Sequence, residues 1–171
     1  MEYCDIYDAS RKTVGKVVPR GASIEKGEYT LVVCCWIANS KGELLLTRRA
    51  PEKRSCPNLW ENSGGGVLAG ETSRQAIARE VYEETGILAQ EEEFSFMDSF
   101  QGADAFFDLY FLRRDVPLEK LRLQPGETVE ARWATVEKLR EMIAAGIVAP
   151  PIAHRFLMQE QAILERIEKM V

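Results

Sequence analysis

Hydrophobic and polar positions along the chain change period several times, and each change marks an element. Residues 29–39, "YTLVVCCWIAN", are almost continuously apolar, the pattern of a strand buried on both faces. "NSKG" then reads as a turn into "ELLLTRRA" (43–50), which predicts a strand–turn–strand unit. Before it, "EYCDIYD" and "KTVGKVVPR" predict two short strands at the N-terminus. After it, "PEKRSCPN" reads as a loop and "LWENSGGG" as a run into a glycine-rich turn. The period becomes helical over 71–85, where Ala76, Ile77, Ala78 and Val81 form an apolar side. "EFSFMDSF" and "AFFDLYFLRR", separated by "QGAD", predict a second strand pair, and "ETVEARWA" a further strand. "TVEKLREMIAAG" is helical, Pro150 and Pro151 break the pattern, and a last helix runs to the end. That helix carries Phe156, Ile163, Leu164, Ile167 and Met170 on one side, for core packing or for a homodimer contact. Strands and helices interleave irregularly, which predicts an α/β fold with a mixed sheet.

The chain's 171 residues are expected to form a single domain, 1–171. With 46% hydrophobic and 29% charged residues it reads as a folded, water-soluble chain. A net charge of −5 argues against long nucleic acid, because there is little excess basic charge to meet phosphates. Small phosphorylated ligands stay open, since metal ions supply positive charge. The longest apolar run, 31–38, falls far short of the roughly 20 residues that span a bilayer. The acidic N-terminus has no hydrophobic stretch of a signal peptide. Four cysteines without CxxC spacing suggest reduced thiols and a cytoplasmic location. His154 is the sole histidine and is expected to be structural or exposed, so a zinc site is disfavoured.

The stretch "REVYEETG" (79–86) changes this bland picture. Glu80, Glu83 and Glu84 are spaced i, i+3 and i+4, so they share one helical face. Each like-charged pair costs roughly 0.2–0.5 kcal/mol. Gly86 caps the helix, placing acids against the negative end of its dipole. A divalent ion relieves that repulsion: carboxylates on one face after a glycine turn form an all-oxygen pocket for Mg²⁺ or Mn²⁺. Such ions bridge diphosphate oxygens, polarise phosphorus and make bound water a nucleophile.

The surrounding "GGVLAGETSRQAIAREVYEETGI" (65–87) resembles the box of the Nudix (MutT-like) hydrolase family, G-x5-E-x7-R-E-U-x-E-E-x-G-U with U apolar. Every specified position matches, and seven fixed residues coincide by chance about once in a hundred million trial positions. The resemblance implies a Nudix α/β/α sandwich around a mixed sheet, here with a short N-terminal β extension. It implies metal binding by Glu80, Glu84 and Glu83, completed by the Gly64 carbonyl, with Glu71 behind them orienting Arg79. It leaves the general base open between Glu83, Glu84 and an acid of "QPGETVEAR", namely Glu127 or Glu130. Arg49 is a candidate for a substrate phosphate and Trp60 for stacking on a base. The implied activity is Mg²⁺-dependent hydrolysis of a phosphoanhydride bond in a small, nucleotide-like substrate.

The segment "GEYTLVVCCWIANSKGELLLTRRAPEKRSCPNLWENSGGG" looks like the branch related to isopentenyl diphosphate isomerase. The isomerase cysteine position is Gly65 here, and its histidine positions are Val67 and Thr30, so that chemistry cannot be assembled. "LLTRRAPEKR" partly resembles coenzyme A pyrophosphatases, but Asn58 and Asn62-Ser63 depart from that signature. A catalytically silent nucleotide-binding module is the non-enzyme alternative, although the glutamate set is intact.

Overall fold

The computed structural model describes residues 1–169. The chain opens with β1 (Tyr3–Tyr7) and β2 (Thr13–Pro19), an antiparallel hairpin outside the main sheet. The hairpin is tied to the loop before the first helix. Ala69 N–H donates to the Tyr3 carbonyl at 2.8 Å, and Gly70 N–H donates to Asp5 Oδ2 at 2.8 Å. At its far end Arg11 pairs with the buried carboxylate of Asp108.

The main sheet contains β3 (Thr30–Ala38), β4 (Leu44–Arg49), β5 (Trp60–Glu61), β6 (Ser63–Gly66), β7 (Ser95–Gln101), β8 (Ala105–Arg113) and β9 (Thr128–Ala134). Its order is β5-β4-β3-β8-β7, with β6 also on β3 and β9 on β4. Only β3 and β8 run parallel; the other pairs are antiparallel, so the sheet is mixed.

Strand alternation assigns each face of β3 to a helix. Leu31, Val33, Cys35 and Ile37 pack with Ala76, Ile77 and Val81 of α1 (Ser73–Thr85). Trp36 and Ala38 point the other way, into a core closed by α2 (Val136–Ala144) and α3 (Pro150–Glu168). There Trp36 and Phe156 meet edge to face, with ring centroids 5.7 Å apart. The result is an α/β/α sandwich.

Three local expectations change. The strand–turn–strand unit pairs only at Ala38↔Leu44, after which β4 turns to β9 over Leu44↔Ala134 to Arg49↔Thr128. The edge of β3 so released takes β6, from Val32↔Gly66 to Cys35↔Ser63. "LWENSGGG" is therefore two short strands, not a glycine-rich turn. A Cβ at Gly64 would lie 2.3 Å from the Val33 carbonyl oxygen, so this close pairing requires glycine. Pro150 and Pro151 do not interrupt a helix but open one, at N1 and N2, where no N–H is needed.

Of the predicted α3 stripe, Phe156 and Ile163 are buried, and Leu164 and Ile167 pack against the same core. Met170 lies outside the described residues. All four cysteines are free thiols; Cys4, Cys34 and Cys35 are buried, and burial pushes Cys34 up to about 11. His154 is exposed.

Candidate active site

The C-terminal half of α1 carries its acids because the helix is fixed at both ends. Thr72 and Gln75 form a capping box at the start, and Gly86 closes the end with φ 74°, its N–H donating to the Tyr82 carbonyl. The helix starts two residues later than its polar pattern suggests, because Glu71 belongs to the preceding turn and accepts from Leu68 N–H at 2.9 Å.

Arg79 is the hub. It donates to both Glu71 oxygens at 2.8 and 2.9 Å, to Glu80 at 2.9 Å, to Glu83 at 3.3 Å and to the Gly66 carbonyl at 3.0 Å. That set occupies all of the guanidinium's edges and fixes α1 to β6 and to the glycine loop. Burial alone would raise Glu71, but the Arg79 and Leu68 hydrogen bonds outweigh it and hold the carboxyl below its ordinary value.

The remaining carboxylates are not balanced in this way. Burial raises Glu80, against the pull of Arg79. Burial, together with the nearby charges of Glu61 and Glu80, raises Glu84 well above the usual carboxylate range. Glu84 accepts from Gly64 N–H at 3.2 Å, and among the described residues no Lys or Arg forms an ion pair with it. Gly65 makes the room: a Cβ there would sit 2.3 Å from the Glu80 carboxyl.

These groups line one end of an open cleft of about 960 Å³. Its rim carries cations, each paired with a glutamate. Arg49 is held by Glu61 at 2.9 Å and by the Ser55 carbonyl, Lys53 pairs with Glu127 across the mouth, and Arg20 comes from the N-terminal hairpin. Arg20 lies over Gly66 and pairs with Glu2 at 2.6 Å.

Glu80, Glu83, Glu84, Gly64, Arg49 and Glu127 thus share the cleft, with Glu71 and Arg79 directly behind it. Glu130 is directed elsewhere, to Arg48 and Arg132. Trp60 requires correction as a stacking residue: it is 5% exposed, packed in the α2–α3 core, with Arg132 4.2 Å over its ring. Its indole is consumed by the fold. Sequence reasoning missed Glu61, Arg20 and Glu2, whose proximity to the acids depends on sheet pairing and hairpin docking.

The donor set fits a hard divalent ion. It offers carboxylate and carbonyl oxygens without nitrogen or sulfur, and Glu84 brings a charge that no protein cation meets. Among the described residues no three His, Cys, Asp or Glu side chains converge closely enough to enclose an ion, Glu80 and Glu83 being turned toward Arg79.

A NUDIX domain model matches residues 28–156. The chain belongs to the Nudix hydrolase family. It is therefore an enzyme acting on phosphoanhydride bonds. It is 37% identical to an uncharacterised Nudix hydrolase of Listeria monocytogenes over 151 residues, 88% of this chain and 89% of that one. A solved structure from Deinococcus radiodurans superposes with a TM-score of 0.73 at 28% identity, covering 90% and 98% of the two chains. Isopentenyl-diphosphate Delta-isomerase of Corynebacterium diphtheriae is 40% identical over only 76 residues, 40% of this chain and 42% of that one. In this Nudix hydrolase a cysteine at 65 would have to displace Glu80, and Thr30 and Val67 supply no imidazole.

Proposed function

We propose that this Nudix hydrolase is a Mg²⁺-dependent (or Mn²⁺-dependent) pyrophosphohydrolase that cleaves the phosphoanhydride bond of a nucleoside diphosphate linked to another moiety. The observation that carries this is Glu84: a half-buried carboxylate without a cationic partner, beside Glu80, in a glycine-lined cleft whose rim carries Arg20, Arg49 and Lys53. Glu80, Glu84 and Glu83 with the Gly64 carbonyl would hold the ion, which would supply charge neutralisation at the diphosphate and an acidified water.

The chain's own groups supply the rest. Arg49, Lys53 and Arg20 meet phosphate oxygens at the rim, and Glu71 through Arg79 holds α1 against β6. Water attacks phosphorus, the bridging P–O bond breaks, and a carboxylate takes the water's proton. Glu83, Glu84 and Glu127 are the bases within the cleft; Glu127 acts only when Lys53 lets it go, a transfer that an incoming phosphate on Lys53 would favour. Among the described residues no helix is long and apolar enough to cross a membrane, and the free thiols support a cytoplasmic setting.

The test is product release from nucleoside di- and triphosphates, nucleotide sugars, dinucleotides and coenzyme A, with Mg²⁺, for wild type beside Glu84→Gln. Turnover by wild type that vanishes in the variant supports the reading. Equal turnover by both proteins overturns the metal assignment.

A further inference from the structure

Arg155 of α3 is a buried cation without a carboxylate. The residue is 9% exposed, and among the described residues it enters no ion pair. Its Nε donates to the Pro151 carbonyl at 3.0 Å and one terminal nitrogen donates to Cys34 Sγ at 2.8 Å. A guanidinium has five N–H donors, so most of this one remains unused. Burying a charge without a partner is costly, and neither a thiol nor a carbonyl returns that cost.

Arg155 also marks where α3 stops covering the sheet. Its guanidinium lies 5.1 Å from the Phe107 ring centroid, on the β3 side given by Cys34. Phe107 stacks on Phe100 of β7, with centroids 4.8 Å apart and planes 11° from parallel. Register puts Gly66, Val32, Phe107 and Phe100 in one row across β6, β3, β8 and β7, with the side chains of Val32, Phe107 and Phe100 on one face. Val32 is also a wall of the catalytic cleft. Val32, Phe107 and Phe100 belong to neither apolar core, although α3 closes the same sheet face one rung further on. Two inter-strand steps of about 4.8 Å separate Gly66 from Phe107, room for a sugar between diphosphate and ring.

We propose that Arg155 and the Phe107–Phe100 pair form the end of the cleft that recognises the substrate's nucleobase. The ring stands over Val32 against Phe107, and a carbonyl or ring nitrogen on its edge accepts the unused N–H donors of Arg155. An isoprenoid chain would fill the apolar row but would leave those donors unmet. This assignment rests on the diphosphate-cleaving reading above, because it presumes the phosphates lie at Gly64 to Gly66.

Isothermal titration in Mg²⁺ tests it with two kinds of uncleavable probe: α,β-methylene nucleoside diphosphates of the four common bases, and base-free methylenediphosphonate. In wild type the best nucleotide should bind at least about tenfold tighter than the base-free probe. Arg155→Met should remove about tenfold of nucleotide affinity while shifting methylenediphosphonate by less than about twofold. Arg155→Lys keeps the charge but loses the planar fork, and should also lose base discrimination. Phe107→Leu should cost roughly threefold or more for the nucleotide alone. Nucleotides binding no tighter than methylenediphosphonate would overturn the inference. So would an equal loss for both probes in Arg155→Met, which would make the residue a charge balancing Glu84 and Glu61 from below. If methylenediphosphonate binds wild type and not Glu84→Gln, the diphosphate reading stands whatever the nucleotides do. If it shows no Mg²⁺-dependent binding, that reading falls and the base site falls with it.

Discussion

Helices α1 and α3 pack on opposite faces of one sheet, and each breaks its apolar stripe with buried polar residues. On α1 these are Glu80 and Thr85; on α3 they are Arg155 and Gln159. The two breaks differ in how they are compensated. On α1 Thr85 returns its hydroxyl to the Val81 carbonyl at 2.6 Å, and Glu80 has Arg79. On α3 Arg155 has no carboxylate and Gln159 Oε1 has no hydrogen-bond partner among the described residues. Charge burial destabilises unless met, so Arg155, a buried cation without a carboxylate, is better explained by the base site proposed above than by the fold.

The apolar stripe itself should dominate stability. Phe156→Ala removes a fully buried ring packed on Trp36 and should cost about 3–5 kcal/mol in denaturant unfolding. A smaller cost than Arg79→Ala would invert the contrast between stripe and hub. Arg79→Ala should come next, at about 3 kcal/mol, because it leaves the buried Glu80 and the half-buried Glu71 without their cation. Its loss of Mg²⁺-dependent turnover should exceed what the melting shift accounts for, since Glu80 and Glu83 lose their common anchor.

Glu84→Gln should act in the opposite direction. A carboxyl whose folded pKa lies above its unfolded value binds protons more tightly when folded, so its ionisation lowers stability as pH rises above the unfolded value, ordinarily 4.5. Wild type without divalent ions should therefore lose melting temperature as pH rises above that unfolded value, and Glu84→Gln should reduce that fall. At neutral pH the variant should be more stable by about 1 kcal/mol, roughly 2–4 °C for a chain of this size. Mg²⁺ should raise the wild-type melting temperature and barely move the variant's. A wild-type melting temperature that rises over this pH range would show that Glu84 is not the uncompensated group.

The acidic half of this contrast was legible in the sequence because helical spacing places Glu80, Glu83 and Glu84 together without help from the rest of the chain. The end of α1 at Gly86, the long apolar β3 and the α3 stripe follow from local pattern in the same way. What local pattern misses is pairing over distance. "SGGG" has no side chains to announce a strand, yet its backbone takes the β3 edge that a simple hairpin would have given to β4. Trp60 resembles a ligand-stacking residue in a polar loop, but β5 carries it into the α2–α3 core. Arg155 sits in an ordinary amphipathic helix; its significance comes from Cys34 and Phe107, residues far away in the chain.

The smallest effect sharpens the contrast at the rim. Lys53 and Glu127 join two loops across the mouth of the cleft, both partly exposed, so the pair should contribute only about 0–1 kcal/mol. Lys53→Ala should therefore leave the melting temperature within about 2 °C of wild type. Its kinetic effect should be larger and split in two. Losing a phosphate-facing cation raises KM, while releasing Glu127 from its partner raises or preserves kcat if Glu127 takes the proton from water. Glu127→Gln separates the roles: it should lower kcat with little change in KM if that carboxylate is the base. If Glu127→Gln leaves kcat unchanged, the proton goes to Glu83 or Glu84, and the Lys53–Glu127 pair is a loop tie whose removal should show in KM alone.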